Sequence, residues 1–181
     1  MKILSTVVAI MMSISSTVSS TVTDFNFELT DYEPADEQFV TCSVVADNVS
    51  LGNIIKPTEV LFNDENCAEI LVKLLEDNGY TPIYSGTTKE WFYLSAIEGI
   101  DTSIAFVTED AKQLLTEKGV SYTNGIAVEE CLSEFDFTDS SGWIFAVNGE
   151  IPSVGMCDYI PSNGDEITLY FTLHYGEDIA Q

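Results

Sequence analysis

The chain has 181 residues, of which 45% are hydrophobic, and this is enough for one domain with a real core and argues against a wholly disordered chain. Six Lys, no Arg and thirty acidic residues give a net charge of −24. Such a charge repels phosphate backbones and anionic lipid surfaces, so it excludes nucleic acid as a direct partner and favours a solvated, repulsive surface.

The first twenty residues have the pattern of a secretory signal peptide. Lys2 precedes an apolar run from Ile3 to Ile14 that is too short to span a bilayer, and small hydroxylated residues follow as far as Ser20. We expect cleavage after Ser20 and a secreted, extracellular product. The sequence predicts no later membrane span.

Residues 21–38 are interpreted as an acidic linker that precedes a single domain at 39–181. The alternation of Phe25, Phe27 and Leu29 could form a strand, but Pro34 and the density of Asp and Glu favour a linker. Within the domain, apolar alternation predicts a first strand at 40–46 and a short second strand at 60–62.

The strongest helix signal lies between Asn66 and Asn78. Asn66 with Glu69 forms a plausible capping pair, apolar residues recur at helical spacing, and Gly79 ends the pattern. Strands are predicted at 81–84 and 91–97. Farther along, Thr108 can cap a second helix that ends at Gly119, and a shorter helix is predicted from Ala127 to Leu132.

The C-terminal stretch from Ser141 to Tyr175 has the clearest pattern of β-strands and turns in the sequence. Residues 143–147 are apolar on both faces, which predicts a central strand, and Asn148-Gly149 predicts a type I′ turn. Pro152 has no N–H to donate to the hydrogen-bond ladder of a sheet, so the strand that returns after the turn must be short or at an edge. After a second turn at 162–165, residues 167–173 alternate as a strand with one core face.

The run SGWIFAVNGEIPSVG, followed by Tyr159, NGDEI at 163–167 and YGEDI near the end, resembles the transcobalamin-like C-terminal domain family. Bacterial secreted proteins carry this domain, and it is similar to the β domain of the vitamin B12 carriers transcobalamin and intrinsic factor. Together with the predicted elements, the resemblance implies an α+β fold: a β-grasp-like mixed sheet of about five strands packed on one main helix. Residues 101–135 look like a helical insertion relative to this family, either decorative or at the rim of a binding surface.

The resemblance also implies a secreted, non-catalytic binding module for cobalamin or a related corrinoid, that is, a small amphipathic ligand. The alternative is an extracellular adhesion module that recognises a protein or glycan. In the first case the ligand-binding candidates are Trp143, Phe145, Pro152, Ser153, Val154, Gly155, Met156, Tyr159 and Tyr170. Trp143 and Phe145 lie on one strand face and are alternatively core residues, whereas a loop such as 153–156 is typical of a contact surface.

Four cysteines in an exported chain predict two disulfides among Cys42, Cys67, Cys131 and Cys157, and the sequence leaves all three connectivities open. Cys67 is alternatively a core residue of the first helix. His174, the only histidine, is interpreted as a surface residue. No motif positions a catalytic pair or a metal-ligand set, so we expect no enzymatic activity and no metal site.

Overall fold

A computed structural model describes residues 37–123 and 128–179 of the protein. The signal peptide and nearly all of the acidic linker lie outside the described residues. In chain order the strands and helices are β1 Gln38–Ala46, β2 Gly52–Phe62, α1 Cys67–Asp77, β3 Thr81–Thr87, β4 Glu90–Glu98, α2 Glu109–Lys118, β5 Cys131–Ser133, β6 Gly142–Val147 and β7 Glu166–Thr172. Short 3₁₀ turns occupy Asp47–Val49 and Met156–Asp158.

The strands form two sheets. A four-stranded sheet has the order β2-β1-β7-β6, and a three-stranded sheet has the order β3-β4-β5. β1 runs parallel to β7, with Val44 opposite Leu169, and all other pairs are antiparallel. The α+β class and the mixed sheet are therefore confirmed, but the strands divide between two sheets where one sheet of about five was expected.

One hydrophobic core joins the four-stranded sheet to α1. Alternate residues of β1 and β7 are fully or almost fully buried, as the period of two requires, and the apolar stripe of α1 belongs to the same cluster. The core-facing residues of these three elements are Val40, Cys42, Val44, Ala46, Ile167, Leu169, Phe171, Ile70, Leu71, Leu74 and Leu75. Each large side chain buried in this way stabilises the fold by about 1.5–3 kcal/mol.

The first helix begins where its capping residues predict. The Asn66 side chain accepts a hydrogen bond from the Glu69 N–H (3.0 Å), and the Asn66 N–H donates to the Glu69 carboxylate (3.2 Å). The same side chain donates to the Thr88 carbonyl at 3.0 Å, so it also fixes the β3–β4 turn to the helix.

We expect Asn66→Ala to lower the free energy of unfolding by about 1–2 kcal/mol, because it leaves a helix N–H and the Thr88 carbonyl without partners. Urea denaturation of both proteins checks this. Asn78→Ala at the other end of the helix is a useful comparison, since its side chain makes one hydrogen bond, to the Leu74 carbonyl. Equal stability of Asn66→Ala and the unmutated protein would contradict the prediction.

The local turn chemistry of the C-terminal stretch is confirmed. Asn148 and Gly149 have φ of 52° and 81°, as a type I′ turn requires. Between this turn and the second turn at 162–165 the chain forms no strand, only an isolated bridge between Val147 and Glu150. In the second turn the Asp165 N–H donates to the Ser162 carbonyl at 3.1 Å.

The expectation that β6 is central is wrong, because β6 forms an edge of the four-stranded sheet. Its second face is covered by chain that is not a strand. Gly176 lies so close to Ile144 and Ile151 that an added Cβ would come within 2.8 Å of Ile151 Cδ1. Apolar residues on both faces show that both faces are covered, and they carry no information about which edges are paired.

The prediction of a short helix from Ala127 to Leu132 is also wrong. Ala127 lies outside the described residues, but Cys131–Ser133 forms β5, in which Leu132 pairs opposite Ile97 of β4. Both side chains have no exposed surface, so burial in an extended pairing outweighs the local helical spacing. α2 ends at Gly119 as predicted, whereas the Thr108 side chain occupies the cap position without a capping hydrogen bond.

Candidate functional site

A groove of about 140 Å³ lies between β4 of one sheet and β6 of the other. We call it the aromatic groove. Its lining residues are Phe92, Tyr93, Leu94, Trp143, Ile144, Phe145, Gly155 and Met156. The structure therefore brings together four of the nine predicted ligand-binding residues, from β6 and from the loop that follows it.

Trp143 and Phe145 are both core residues and groove walls. Trp143 is half-buried, its ring lies 5.1 Å from that of Phe171 at 71°, and its indole N–H donates to the Leu132 carbonyl at 3.2 Å. Phe145 is 5% exposed and meets the ring of Tyr159 edge-on at 6.1 Å. Such fixed aromatic side chains present a preformed wall that loses little conformational freedom when a ligand binds.

The loop after β6 divides into an exposed part and an anchored part. Ser153, Val154 and Gly155 are exposed and Pro152 is half-buried, whereas Met156 is 8% exposed and starts the second 3₁₀ turn. Beyond that turn, the Tyr159 carbonyl accepts a hydrogen bond from the Cys67 N–H of α1 at 2.9 Å. The helix start thus fixes the far end of the loop beside the groove.

Tyr159 supports the groove from behind and does not line it. Its ring is half-buried against Phe145. Partial burial, together with the nearby Asp165 carboxylate, raises the pKa of its hydroxyl. The hydroxyl is therefore neutral at physiological pH.

The β4 wall of the groove is missing from the sequence-based candidates. Tyr93 is 53% exposed, and its hydroxyl donates to the Glu134 carboxylate, a hydrogen bond that raises the pKa of Tyr93. Two residues earlier in β4, Trp91 is 89% exposed with a φ of 58°, an unusual backbone conformation for a bulky residue. The sequence contains a pattern that could have identified this wall. Trp91, Phe92 and Tyr93 are three successive aromatic residues in a strand, so at least one of them must lie on the face away from the core.

Tyr170 is not part of the aromatic groove. Its side chain points to the opposite face of the four-stranded sheet, where it lines a cavity of about 590 Å³ together with residues of β1, α2 and the C-terminal segment. Of the nine predicted residues, four therefore line the aromatic groove and Tyr170 lines the second cavity, because neighbouring residues of β7 point to opposite faces. The other four, Pro152, Ser153, Val154 and Tyr159, line neither of these two surfaces.

The cysteines do not form the two expected disulfides. All four thiols are free and no two lie at disulfide distance. Cys42 lies within β1 and Cys67 at the start of α1, both without exposed surface, whereas Cys131 belongs to the second sheet. The alternative interpretation of Cys67 as a core residue is the correct one.

Burial raises the pKa of the Cys42 and Cys67 thiols to about 12, from an ordinary value of 9.0. Unfolded thiols ionise above their ordinary pKa while the buried ones stay protonated, so stability is full below pH 9.0 and is lost as the pH rises toward 12. We expect each thiol to account for a loss of about 1 kcal/mol in the free energy of unfolding between pH 8 and pH 10. Urea denaturation at both pH values checks this, and Cys42→Ala must show a smaller loss than the unmutated protein; an equal loss would contradict the assignment.

No group of three or more His, Cys, Asp or Glu side chains in the described ranges is arranged to hold a metal ion. The His174 ring lies near Tyr175, and its Nδ1 is 3.1 Å from the Ser140 hydroxyl. Neither helix at 67–77 or 109–118, nor any other described helix, is long and apolar enough to cross a membrane.

Comparison with known families adds one finding. A family model described as "Domain of unknown function (DUF4430)" matches residues 68–172, which is more than half of the chain. The matched range runs from the first turn of α1 to the end of β7 and contains every residue of the aromatic groove. No curated protein matches the chain.

Proposed function

Since the chain belongs to the DUF4430 family, whose description assigns no activity, we propose from its aromatic groove that it is a secreted, non-catalytic module that binds a small amphipathic ligand. Cobalamin or a related corrinoid is the first candidate, because the C-terminal stretch resembles the transcobalamin-like domain. The observation that carries the proposal is the convergence of Trp143, Phe145, Gly155 and Met156 on one groove. The N-terminal signal-peptide pattern supports secretion.

The walls of the aromatic groove suit a ligand with an apolar ring system and amide arms. Phe92 and Phe145 offer apolar surface, while the Tyr93 hydroxyl and the Glu134 carboxylate add polar groups at the rim. Within the described residues no strand pairs with the outer edge of β6, and Val147 alone forms a bridge, with Glu150, so the outward N–H and C=O groups of Trp143 and Phe145 are not used in a β ladder and suit amide arms.

The size of the groove sets the expected strength of binding. At about 140 Å³ it is smaller than the roughly 300–1,000 Å³ of pockets that enclose a ligand, so it would hold one edge of a corrin ring and leave the rest in water. We therefore expect a dissociation constant on the order of 10–100 μM.

Equilibrium dialysis against cyanocobalamin tests the proposal. We expect measurable binding at about 100 μM ligand, and we expect Tyr93→Ala to weaken it about 5- to 10-fold, because this change removes one wall while its side chain is largely solvent-exposed. Tyr175→Ala is the matched control, since Tyr175 is 72% exposed and does not line the groove. No binding by the unmutated protein, or equal weakening by both variants, would refute the proposal.

A second candidate function is adhesion to a protein or glycan, and one observation favours it. The β3–β4 hairpin exposes apolar side chains: Trp91 is 89% exposed, with Ile83 and Tyr84 at 40% and 38%. Exposed aromatic residues of this kind are enriched at binding surfaces. Glycan-array binding that Trp91→Ser removes, combined with no binding of cyanocobalamin, would favour this alternative.

A further inference from the structure

The aromatic groove runs along the edges of two strands. Three successive residues of each strand line it, 92–94 of β4 and 143–145 of β6. Side chains of successive strand residues point to opposite faces of a sheet, so a groove that touches three in a row lies beside the strand edge, where the backbone is presented. The groove therefore borders backbone N–H and C=O groups as well as aromatic side chains.

Neither edge has a partner strand at this point. On β4, β5 pairs only with residues 96–98, and the Glu134 N–H adds one bond to the Ser95 carbonyl at 2.8 Å. Residues 92–94 therefore have a strand neighbour, β3, on one side alone. On β6, β7 occupies one side and no described strand occupies the other. The aromatic groove is thus a gap between two open strand edges.

The free backbone groups of β6 can be assigned from the hydrogen bonds at its end. The Asn148 N–H donates to a carbonyl of β7 at 2.8 Å, whereas the Val147 N–H turns away from β7 and donates to the Glu150 carbonyl at 2.8 Å. Alternation along an antiparallel strand then directs the N–H and C=O groups of Trp143 and Phe145 away from β7, toward the groove. Such a row of groups is what an added strand pairs with.

The edge of β6 also lacks the features that protect the other strand edges. β2 has Lys56 and Pro57 at its middle, β3 has Pro82, and β5 is three residues long. β6 reads GWIFAV, with no charge and no Pro, and it pairs with β7 over six residues without a register shift. Natural proteins usually protect an edge with Lys, Pro, a bulge or a short strand, because an open edge pairs with another chain. The unprotected edge of β6 therefore favours a role in strand pairing.

Charge selects the kind of strand that fits. None of the groove-lining residues is charged, but the Tyr93 hydroxyl at the rim donates to the Glu134 carboxylate, and the whole chain has a net charge of −24. A basic segment is attracted by this field. The same field repels a second copy of the chain and also the protein's own residues 21–37, which contain six acidic residues and no Lys. The occupant that charge favours is therefore a basic strand of another protein.

We propose that the aromatic groove binds an extended, basic segment of another protein by β-strand addition. The segment pairs with the free N–H and C=O groups of Trp143 and Phe145, places a small apolar side chain against Met156, and carries Lys or Arg near Glu134. The inference rests on the aromatic groove being a binding surface, as in the proposed function, and adds a second ligand class for that groove.

Three matched peptides test strand pairing and charge. We would titrate ¹⁵N-labelled protein with the peptides KVTVTVK, KVTPTVK and EVTVTVE, of which the second lacks a central backbone N–H and the third has acidic ends. We expect KVTVTVK to bind with a dissociation constant of about 1 mM and to shift the backbone amide signals of Trp143 and Phe145, and we expect the other two to bind at least about 5-fold more weakly. Equal binding of the three peptides, or shifts confined to residues outside the groove, would overturn the proposal.

A variant at the rim separates the local charge from the general field of the protein. Glu134→Gln keeps a hydrogen-bond acceptor for Tyr93 and is expected to weaken the binding of KVTVTVK about 2- to 3-fold. Glu76→Gln removes the same charge from an exposed position of α1 and is expected to leave the affinity unchanged. Equal weakening by both variants would show that only the overall field acts on the peptide and would overturn the proposal.

A parallel titration with cyanocobalamin distinguishes this inference from the proposed function. If cyanocobalamin shifts the Trp143 indole signal and KVTVTVK shifts no signal of the groove, the inference is overturned and the proposed function stands. If KVTVTVK shifts the Trp143 and Phe145 amide signals and cyanocobalamin shifts none, the inference is supported and the assignment of a corrinoid fails.

Discussion

Replacing Phe171 with Ala is expected to lower the free energy of unfolding by about 4 kcal/mol. Phe171 is 1% exposed near the C-terminal end of β7, and its ring meets those of Phe137 at 6.0 Å and Trp143 at 5.1 Å, both edge-on. The substitution removes buried apolar surface and two aromatic contacts, and it leaves a cavity in the core. Urea denaturation followed by circular dichroism measures the loss.

Phe106→Ala is the matched control, because the Phe106 side chain is 52% exposed. We expect this variant to lose less than about 1 kcal/mol. Similar losses at the two positions would mean that β7 does not occupy the centre of the core.

The second large loss of stability is expected at Asp178, whose carboxylate holds the C-terminal segment against the sheet through hydrogen bonds. It accepts hydrogen bonds from the Leu173 N–H at 2.7 Å and the His174 N–H at 3.0 Å, and also from the side chains of Asn48 and Thr172. We expect Asp178→Ala to lower the free energy of unfolding by about 3 kcal/mol, because four donors lose one charged acceptor.

Thermal unfolding of Asp178→Ala beside Asp139→Ala measures this contribution. Asp139 is exposed, and its carboxylate accepts no hydrogen bond among the described residues, so its removal is expected to leave stability almost unchanged. If the two variants unfold at the same temperature, the Asp178 carboxylate does not hold the C-terminal segment.

Features set by neighbouring residues could be predicted from the sequence. The capping box of Asn66 and Glu69, the end of α2 at Gly119 and the Asn148-Gly149 turn each depend on the chemistry of a few adjacent residues. The alternation in β7 is equally local, and it correctly separates the buried face of Phe171 from the face of Tyr170.

Features set by distant parts of the chain could not be predicted. β5 is a strand because Leu132 pairs opposite Ile97 of β4. β6 is apolar on both faces although it is an edge strand, because the C-terminal segment covers its second face. The β4 wall of the aromatic groove has the same origin, since Tyr93 and Trp143 line one groove only once the two sheets have packed. The disulfides were expected from composition and compartment alone, which say nothing about the distances between thiols.

The two tryptophans provide the most direct test of the proposed binding surface, because each marks one of the two candidate functions. Trp143 lies in the aromatic groove, and Trp91 lies 89% exposed on the β3–β4 hairpin. Their indole N–H groups give two separate signals in a ¹H–¹⁵N spectrum recorded during titration with cyanocobalamin. A binding module that uses the aromatic groove shifts the Trp143 indole signal and leaves that of Trp91 in place, whereas a shift of Trp91 alone, or of neither, would contradict the proposed function.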